Sequence, residues 1–223
     1  KDSLSMRTAW EDAGEKKQII HGLAAGQGRR LLFTRTKHQA RRLARELTAA
    51  GIPAVELHGN LSQNARERGL KAFAEGQVRV MVATDIAARG IHVDDIELVV
   101  HVDPPAEHKS YLHRSGRTAR AGHTGQVITL VLPEQRKDFQ TLARAARISA
   151  APQQVRPGDP LLTTLRGAAA DPVAPESAPA AASRRAPKVA TPAKSGKTGP
   201  SSRPYQLPGS GQQEKNRIGS NQP

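Results

Sequence analysis

Five short apolar runs, each separated from the next by a polar or helix-periodic stretch, restrict what this chain can fold into more than any other feature. Leu31-Leu32-Phe33, Ile52–Leu57, Val78–Ala83, Ile96–Val102 and Gln126–Leu132 are rich in aliphatic and β-branched residues. Strands this apolar at consecutive positions need cover on both faces. Between them lie stretches of 3.6-residue period. Lys16–Ala25 is the first, and KHQARRLARELTAA the second, with Ala40, Leu43, Ala44, Leu47 and Ala50 on one stripe and Gly51 placed to end it. Ser62–Ala74, closed by Gly76, and Glu134–Ala146 complete the set. Repeated β-α-β units of this kind predict an α/β fold: an open parallel sheet with helices on both faces. Ligands of such sheets collect beyond the carboxyl ends of the strands. That places Thr34–Lys37, His58–Gly59, Thr84–Gly90 and Asp103–Pro105 on one functional edge.

Composition divides the 223 residues unevenly, because twelve of the sixteen prolines follow residue 150, among runs such as APAAAS and SGKTGPSSRP. Few large apolar side chains lie there, so the expected organisation is a lead-in over 1–15, a folded domain over 16–150 and a disordered basic tail over 151–223. The formal net charge is +14. Residues 166–223 hold nine basic and three acidic residues, leaving +8 on the rest. A surplus on both parts favours a polyanionic partner, nucleic acid before acidic membrane, over a role in solubility alone.

There are no cysteines, which excludes disulfides and thiolate zinc sites and fits a reducing compartment. No apolar run is long enough to span a bilayer, and the start KDSLSMRTAWEDAGEKK is too charged for a signal peptide, so the cytoplasm is the expected location. The chain opens at Lys1 without an initiator methionine, as a fragment or a processed product would. His108 and His113 lie five apart, on different helical faces, and no histidine pair has the spacing of a metal site. GQG at 26–28 precedes a strand instead of following one and reads as a helix-ending turn. KSGKTG at 194–199 ends like a phosphate loop, but Thr191 stands where the first glycine should be and no strand precedes it.

Phosphate chemistry concentrates elsewhere. In HRSGRTAR, His113, Gly116, Arg117 and Arg120 follow an i, i+3, i+4, i+7 spacing that puts one imidazole and two guanidiniums on a single helical face. Thr84-Asp85, directly after the third run, reads equally as a helix cap or as a phosphate-binding turn. Arg89 and Gly90 favour the second reading, through a fixed charge and close backbone approach. Gln63 and Arg66 share one stripe of their helix, as a solvated face or as a backbone contact to RNA.

With those segments in view, the chain closely resembles the second, carboxyl-terminal RecA-like domain of DEAD-box ATP-dependent RNA helicases, among them the bacterial cold-shock and ribosome-assembly type. The resemblance runs from about Lys16 to Ile148. LLFTRTK at 31–37, HGNLSQNARERGLKAF at 58–73, VMVATDIAARGI at 80–91, HVDPP at 101–105 and YLHRSGRTARAG at 111–122 carry it, in the family's order.

The resemblance implies that Arg117 and Arg120 are the arginine fingers that meet the γ-phosphate of ATP across an interdomain cleft. It implies that His113 and Arg114 link nucleotide state to closure, and that Thr36, Arg66 and Thr84, with Arg89 beside them, hold the phosphates of one RNA strand. Gly90 and the following residues would border the ATP ribose. His92 stands where most members carry aspartate, and is expected to keep a weakened or rearranged ribose contact. ATP would arrive with Mg2+ held mainly by the N-terminal RecA-like domain of the same helicase, whose phosphate loop and DEAD sequence are not among these residues. The chain alone is therefore expected to be inactive. The rival readings are a non-catalytic RNA- or protein-binding module and a DNA-directed relative.

Overall fold

The computed structural model describes residues 4–10, 14–89, 91, 93, 95–119, 124–148 and 152–174. Seven strands form one sheet in the order β3-β4-β2-β5-β6-β1-β7, and every pairing is parallel. They are β1 (Leu4–Trp10), β2 (Arg29–Phe33), β3 (Ala54–Leu57), β4 (Val80–Ala83), β5 (Ile96–His101), β6 (Gly125–Val131) and β7 (Pro152–Gln154). The helices are α1 (Lys16–Ala24), α2 (Lys37–Ala49), α3 (Gln63–Ala74), α4 (Asp85–Ala88), α5 (His108–Ser115), α6 (Arg136–Ala145) and α7 (Pro160–Arg166). The α/β reading with an open parallel sheet holds.

Alternation along the strands sorts the core into two layers. Leu32, Val80, Val82, Leu98, Val100, Ile128 and Leu130 pack with residues of α1, α2 and α7. Their neighbours Leu31, Phe33, Met81, Ala83, Val99 and Val127 pack with residues of α3 and α4. Both layers are built mainly from apolar side chains, so the central strands alternate between two buried faces. A third, smaller cluster places Tyr111 of α5 against Phe139 of α6.

The expected boundaries need correction at both ends. Residues 4–10, assigned to a lead-in, form β1, which runs beside β6 from Leu4↔Gly125 to Trp10↔Val131. Residues 152–174, assigned to the tail, are part of the fold. Leu162 and Leu165 of α7 are buried in the first core layer. Asp159 caps α7 by accepting from the Leu161 amide at 2.8 Å, Pro160 takes the first helical position, and Gly167 ends it at φ +67°. The segment then crosses the amino ends of the strands: the Gln27 amide donates to Ala168 O, Ala170 to Ala25 O and Val173 to Gly51 O.

Arg30 fastens this crossing. The residue is 1% exposed, and its guanidinium donates to three backbone carbonyls, those of Leu23, Gly28 and Arg166. Burial pushes its pKa down to about 10, so it stays charged at neutral pH. A side chain at Gly26 would occupy the space of that guanidinium, which explains the first glycine of GQG. The GQG turn lies between α1 and β2, as its position before a strand required. The residues of KSGKTG lie outside the described part.

Candidate functional site

The carboxyl ends of β3, β4 and β2 lie side by side, and the loops leaving them carry most of the residues singled out in the sequence. Local hydrogen bonds fix their mutual placement: the Thr34 amide donates to Ala83 O at 3.0 Å and the Thr84 amide to Leu57 O at 3.1 Å. Thr84 precedes α4 in extended conformation, and its side chain makes no capping bond. Arg66 reaches across from α3, donating from Nη2 to the carbonyl of Ala87 at 2.9 Å, so Arg66 and Thr84 share one corner. Thr36 stands on the same edge, but its hydroxyl is committed to capping α2. It accepts from the Gln39 amide at 3.2 Å and donates to Gln39 Oε1 at 3.1 Å, while its own amide donates to that oxygen.

The loop that leads into α3 is held by a pair that sequence reasoning missed. His58 and Glu56 are both buried, with His58 Nε2 and Glu56 Oε2 3.1 Å apart. Nδ1 accepts from the Asn60 amide at 3.3 Å, so Nε2 carries the proton given to the carboxylate. A glutamate at an interior strand position, two residues before a histidine, was the available signal.

Arg114 is the hub on the other side. It is 3% exposed and grips Asp85 with two bonds, Nε to Oδ1 at 2.5 Å and Nη2 to Oδ2 at 2.7 Å. Its third nitrogen donates to Asp103 O at 2.8 Å, and the guanidinium carbon lies 5.1 Å from the Phe33 ring centre. One side chain thus ties α5 to α4 and to the end of β5. The Asp103 carboxylate receives the Arg35 amide at 3.1 Å and Lys16 Nζ at 3.4 Å, which draws the first helix to the same edge.

Arg117 does not share a helical face with His113. The helix over HRSGRTAR stops at Ser115, with Gly116 as its cap, so the expected helical stripe from His113 does not extend to Arg117. The cause is a backbone anchor: the Thr118 hydroxyl donates to Ile96 O at the start of β5, and Ala119 turns into the left-handed region at φ +56°. A Cβ at Gly125 would collide with Thr118 and the Ala119 amide, so only glycine fits under this turn. Arg117 then folds back over the loop after α4. Its Nη1 donates to Ile91 O at 3.0 Å and its Nε to His113 O at 3.3 Å. Arg89, His113, Arg114 and Arg117 line one narrow cleft with Phe33, Asp85, Ala88 and Ser110. Gly90, His92 and Arg120 lie outside the described residues.

Three comparisons with known proteins bear on this edge. Residues 15–122 match the helicase conserved C-terminal domain family. The chain is 39% identical over 133 residues to the ATP-dependent RNA helicase drs1 of Aspergillus oryzae, covering 60% of this chain and 16% of that protein. It is 46% identical over 101 residues to the ATP-dependent rRNA helicase RRP3 of Coccidioides immitis, covering 45% of this chain and 21% of that one. A crystal structure of the E. coli DEAD-box protein SrmB bound to regulator of ribonuclease activity A superposes with a TM-score of 0.62 at 32% identity, over 71% of this chain and 96% of the solved one. The chain belongs to the DEAD-box family. It corresponds to the conserved C-terminal helicase domain, and spans less than a quarter of the length of those two curated relatives.

Behind the cleft of this DEAD-box domain sits a buried histidine, the first residue of HVDPP, to which the motif reading gave no role. His101 is fully buried, between the Phe33 ring at 6.1 Å and the Tyr111 ring at 4.9 Å, both edge-on. Nδ1 lies 3.0 Å from the Thr129 hydroxyl, and Nε2 has no hydrogen-bond partner among the described residues. Burial, with the charge of Arg114 adding to it, holds His101 well below its ordinary pKa of 6.5. Above that ordinary value both folded and unfolded forms are neutral. Below it the unfolded chain takes up a proton that the folded one refuses, so stability falls as pH drops toward the folded pKa. Half-buried His21 is lowered too, by burial and then by Lys17. Urea midpoints measured from pH 7 to pH 5 should therefore fall for the wild type and fall less for His101→Gln; equal slopes would remove His101 from the account.

Proposed function

We propose that this domain is one half of an ATP-driven RNA helicase. It grips the phosphates of one RNA strand at the carboxyl edge of β3, β4 and β2 and presents arginines to ATP held by a partner RecA-like domain. The observation that carries the reading is the meeting of two cation sets on one sheet edge: Arg66 beside Thr84, and Arg89 with His113 and Arg117 around the adjoining cleft. The relatives drs1 and RRP3 are named ATP-dependent helicases of RNA and rRNA, which supports both substrates.

On the RNA side, phosphate contacts hold a strand without reading its bases, so binding is independent of sequence. The Thr84 hydroxyl and the Arg66 guanidinium face a backbone, with Arg89 next to them. Thr36 would contribute only by giving up part of its cap on α2. On the nucleotide side, Arg117 and Arg120 would neutralise charge that develops on the transferring phosphoryl group. His113 and Arg114 would report that event to the interdomain cleft, Arg114 through its grip on Asp85. Gly90 and His92 would border the ribose. Magnesium would come with ATP on the partner domain. Closure of two such domains on RNA would bend one strand and part a short duplex, and hydrolysis would reopen the cleft. The basic tail would add affinity through counterion release.

Thr84→Val tests the RNA half without disturbing the fold, because the hydroxyl makes no capping bond. A hydrogen bond to a charged group is worth about 1.5–3 kcal/mol, which predicts RNA binding about tenfold weaker or more. The loss should be equal for RNAs of unrelated sequence. Unchanged affinity would sink the placement of the strand, and a loss confined to one sequence would sink its indifference to bases.

A further inference from the structure

Strand β3 is apolar at every position but one. Ala54, Val55 and Leu57 belong to the core, yet Glu56 among them is 6% exposed, and His58, directly after the strand, is 8% exposed. Their side chains meet at 3.1 Å. Stability alone is a poor reason for such a pair. The cost of taking two ionisable groups out of water offsets much of their attraction, and apolar side chains of similar size serve a core as well. What a hydrogen-bonded pair adds is direction, because a satisfied buried polar network holds one arrangement of the groups it joins.

That direction leads to Arg66. The His58 ring is held at both nitrogens, by the Glu56 carboxylate at Nε2 and by the Asn60 amide at Nδ1. The His58 carbonyl accepts from the Leu61 amide at 3.2 Å, and Leu61 rests against the second core layer. Ser62 follows and caps α3, its hydroxyl accepting from the Ala65 amide at 3.3 Å and its carbonyl from the Arg66 amide at 2.9 Å. A bonded path therefore runs from the buried carboxylate through the turn to the first turn of α3. The Arg66 guanidinium, donating to Ala87 O in the corner of Thr84, stands at its far end. A contact of this kind tolerates displacement of about 0.5 Å, and a small swing of the helix start moves the tip of a long side chain by more than that.

We propose that Glu56 and His58 are positioning residues for the RNA grip: the buried pair fixes the turn that aims Arg66 at a phosphate beside Thr84, and touches no RNA itself. The inference rests on the RNA reading above and deepens it, by naming what holds the gripping side chain in place.

The test uses the whole chain and a short oligouridine. Glu56→Leu with His58→Leu removes both ionisable groups together and strands neither, so its urea midpoint should equal or exceed that of the wild type. Its RNA affinity should nevertheless fall about tenfold, the share of one charge-assisted hydrogen bond. Its log–log salt slope should lessen by about 0.7, the share of one phosphate on a single strand. Arg66→Gln should give the same two changes, and adding the leucine pair to it should cost no more than about twofold further. Glu56→Gln keeps an oxygen for the His58 proton, so its affinity should stay within about twofold of the wild type. Should the leucine pair fail to fold, His58→Ala, which opens the site so that water reaches Glu56, takes its place in each comparison. The proposal is overturned if the leucine pair loses affinity with its salt slope unchanged, or loses as much again in the Arg66→Gln background. It is overturned equally if Glu56→Gln loses as much as the leucine pair. If Arg66→Gln weakens binding and the leucine pair does not, this inference alone falls. If Arg66→Gln itself leaves binding unchanged, the RNA reading falls with it.

Discussion

Arg117→Ala is expected to lower RNA-stimulated ATP hydrolysis about 10³-fold when this domain is combined with its N-terminal RecA-like partner, and to leave RNA affinity unchanged. Magnitudes explain why a side chain that is already hydrogen-bonded can play this part. As it stands, Arg117 donates to the neutral carbonyls of Ile91 and His113. Each such bond is worth about 1 kcal/mol net. A guanidinium meeting a transferring phosphoryl group contributes about 10³–10⁵ in rate, or roughly 4–7 kcal/mol. Exchange of the carbonyls for the phosphate is therefore favourable once a partner domain delivers ATP, and the resting contacts store the side chain beside the cleft. Arg117→Lys should not rescue, because a point charge on a flexible stem replaces a planar fork. The assay is single-turnover hydrolysis on mixing the two domains, with Arg120→Ala run in parallel. A hydrolysis rate that survives both substitutions, with RNA binding intact, would remove these arginines from the catalytic account.

The sheet was legible because its strands are buried on both faces and its crossovers keep a clean 3.6 period. Val80–Ala83 lies between Arg29–Phe33 and Ala54–Leu57 and runs parallel to both. That these loops would gather at the carboxyl edge followed from a general property of such sheets, and Thr34, Thr84 and Asp103 all stand there. What escaped lies at the edges of the sheet and at the ends of helices. Strand β7 has three exposed residues, Pro-Gln-Gln, and no apolar pattern at all. Helix α7 did carry a signal, Asp-Pro at its start and Gly at its end, which the proline-rich surroundings masked. The stop at Ser115 was not readable from spacing, because the bond that holds the following turn is tertiary: the Thr118 hydroxyl donates to Ile96 O at the start of β5. A run with ideal helical spacing was overridden by one long-range anchor, and that puts Arg117 over the loop after α4.

Asp85→Ala is expected to cost about 2–4 kcal/mol of stability. The estimate starts from the cost of breaking a buried ion pair, about 3–5 kcal/mol, because the remaining charge has lost its partner. It is then reduced, since the Asp85 side chain is 38% exposed although that of Arg114 is only 4% exposed. Two bonds disappear from the Arg114 guanidinium, and its approach to Asp103 O and the Phe33 ring cannot neutralise it. The loss should appear as a lower urea midpoint with the slope of the transition kept. Arg114→Met in the same background should recover part of it, because an apolar side chain of similar length can rest on Phe33 without a buried charge to satisfy. Recovery of stability should not bring recovery of hydrolysis. The double variant would restore the packing between α4 and α5 while leaving Arg89, His113 and Arg117 around a cleft whose central guanidinium is missing. If stability and ATPase activity returned together, Arg114 would be a packing residue alone, and its assignment to the link between nucleotide and closure would be wrong.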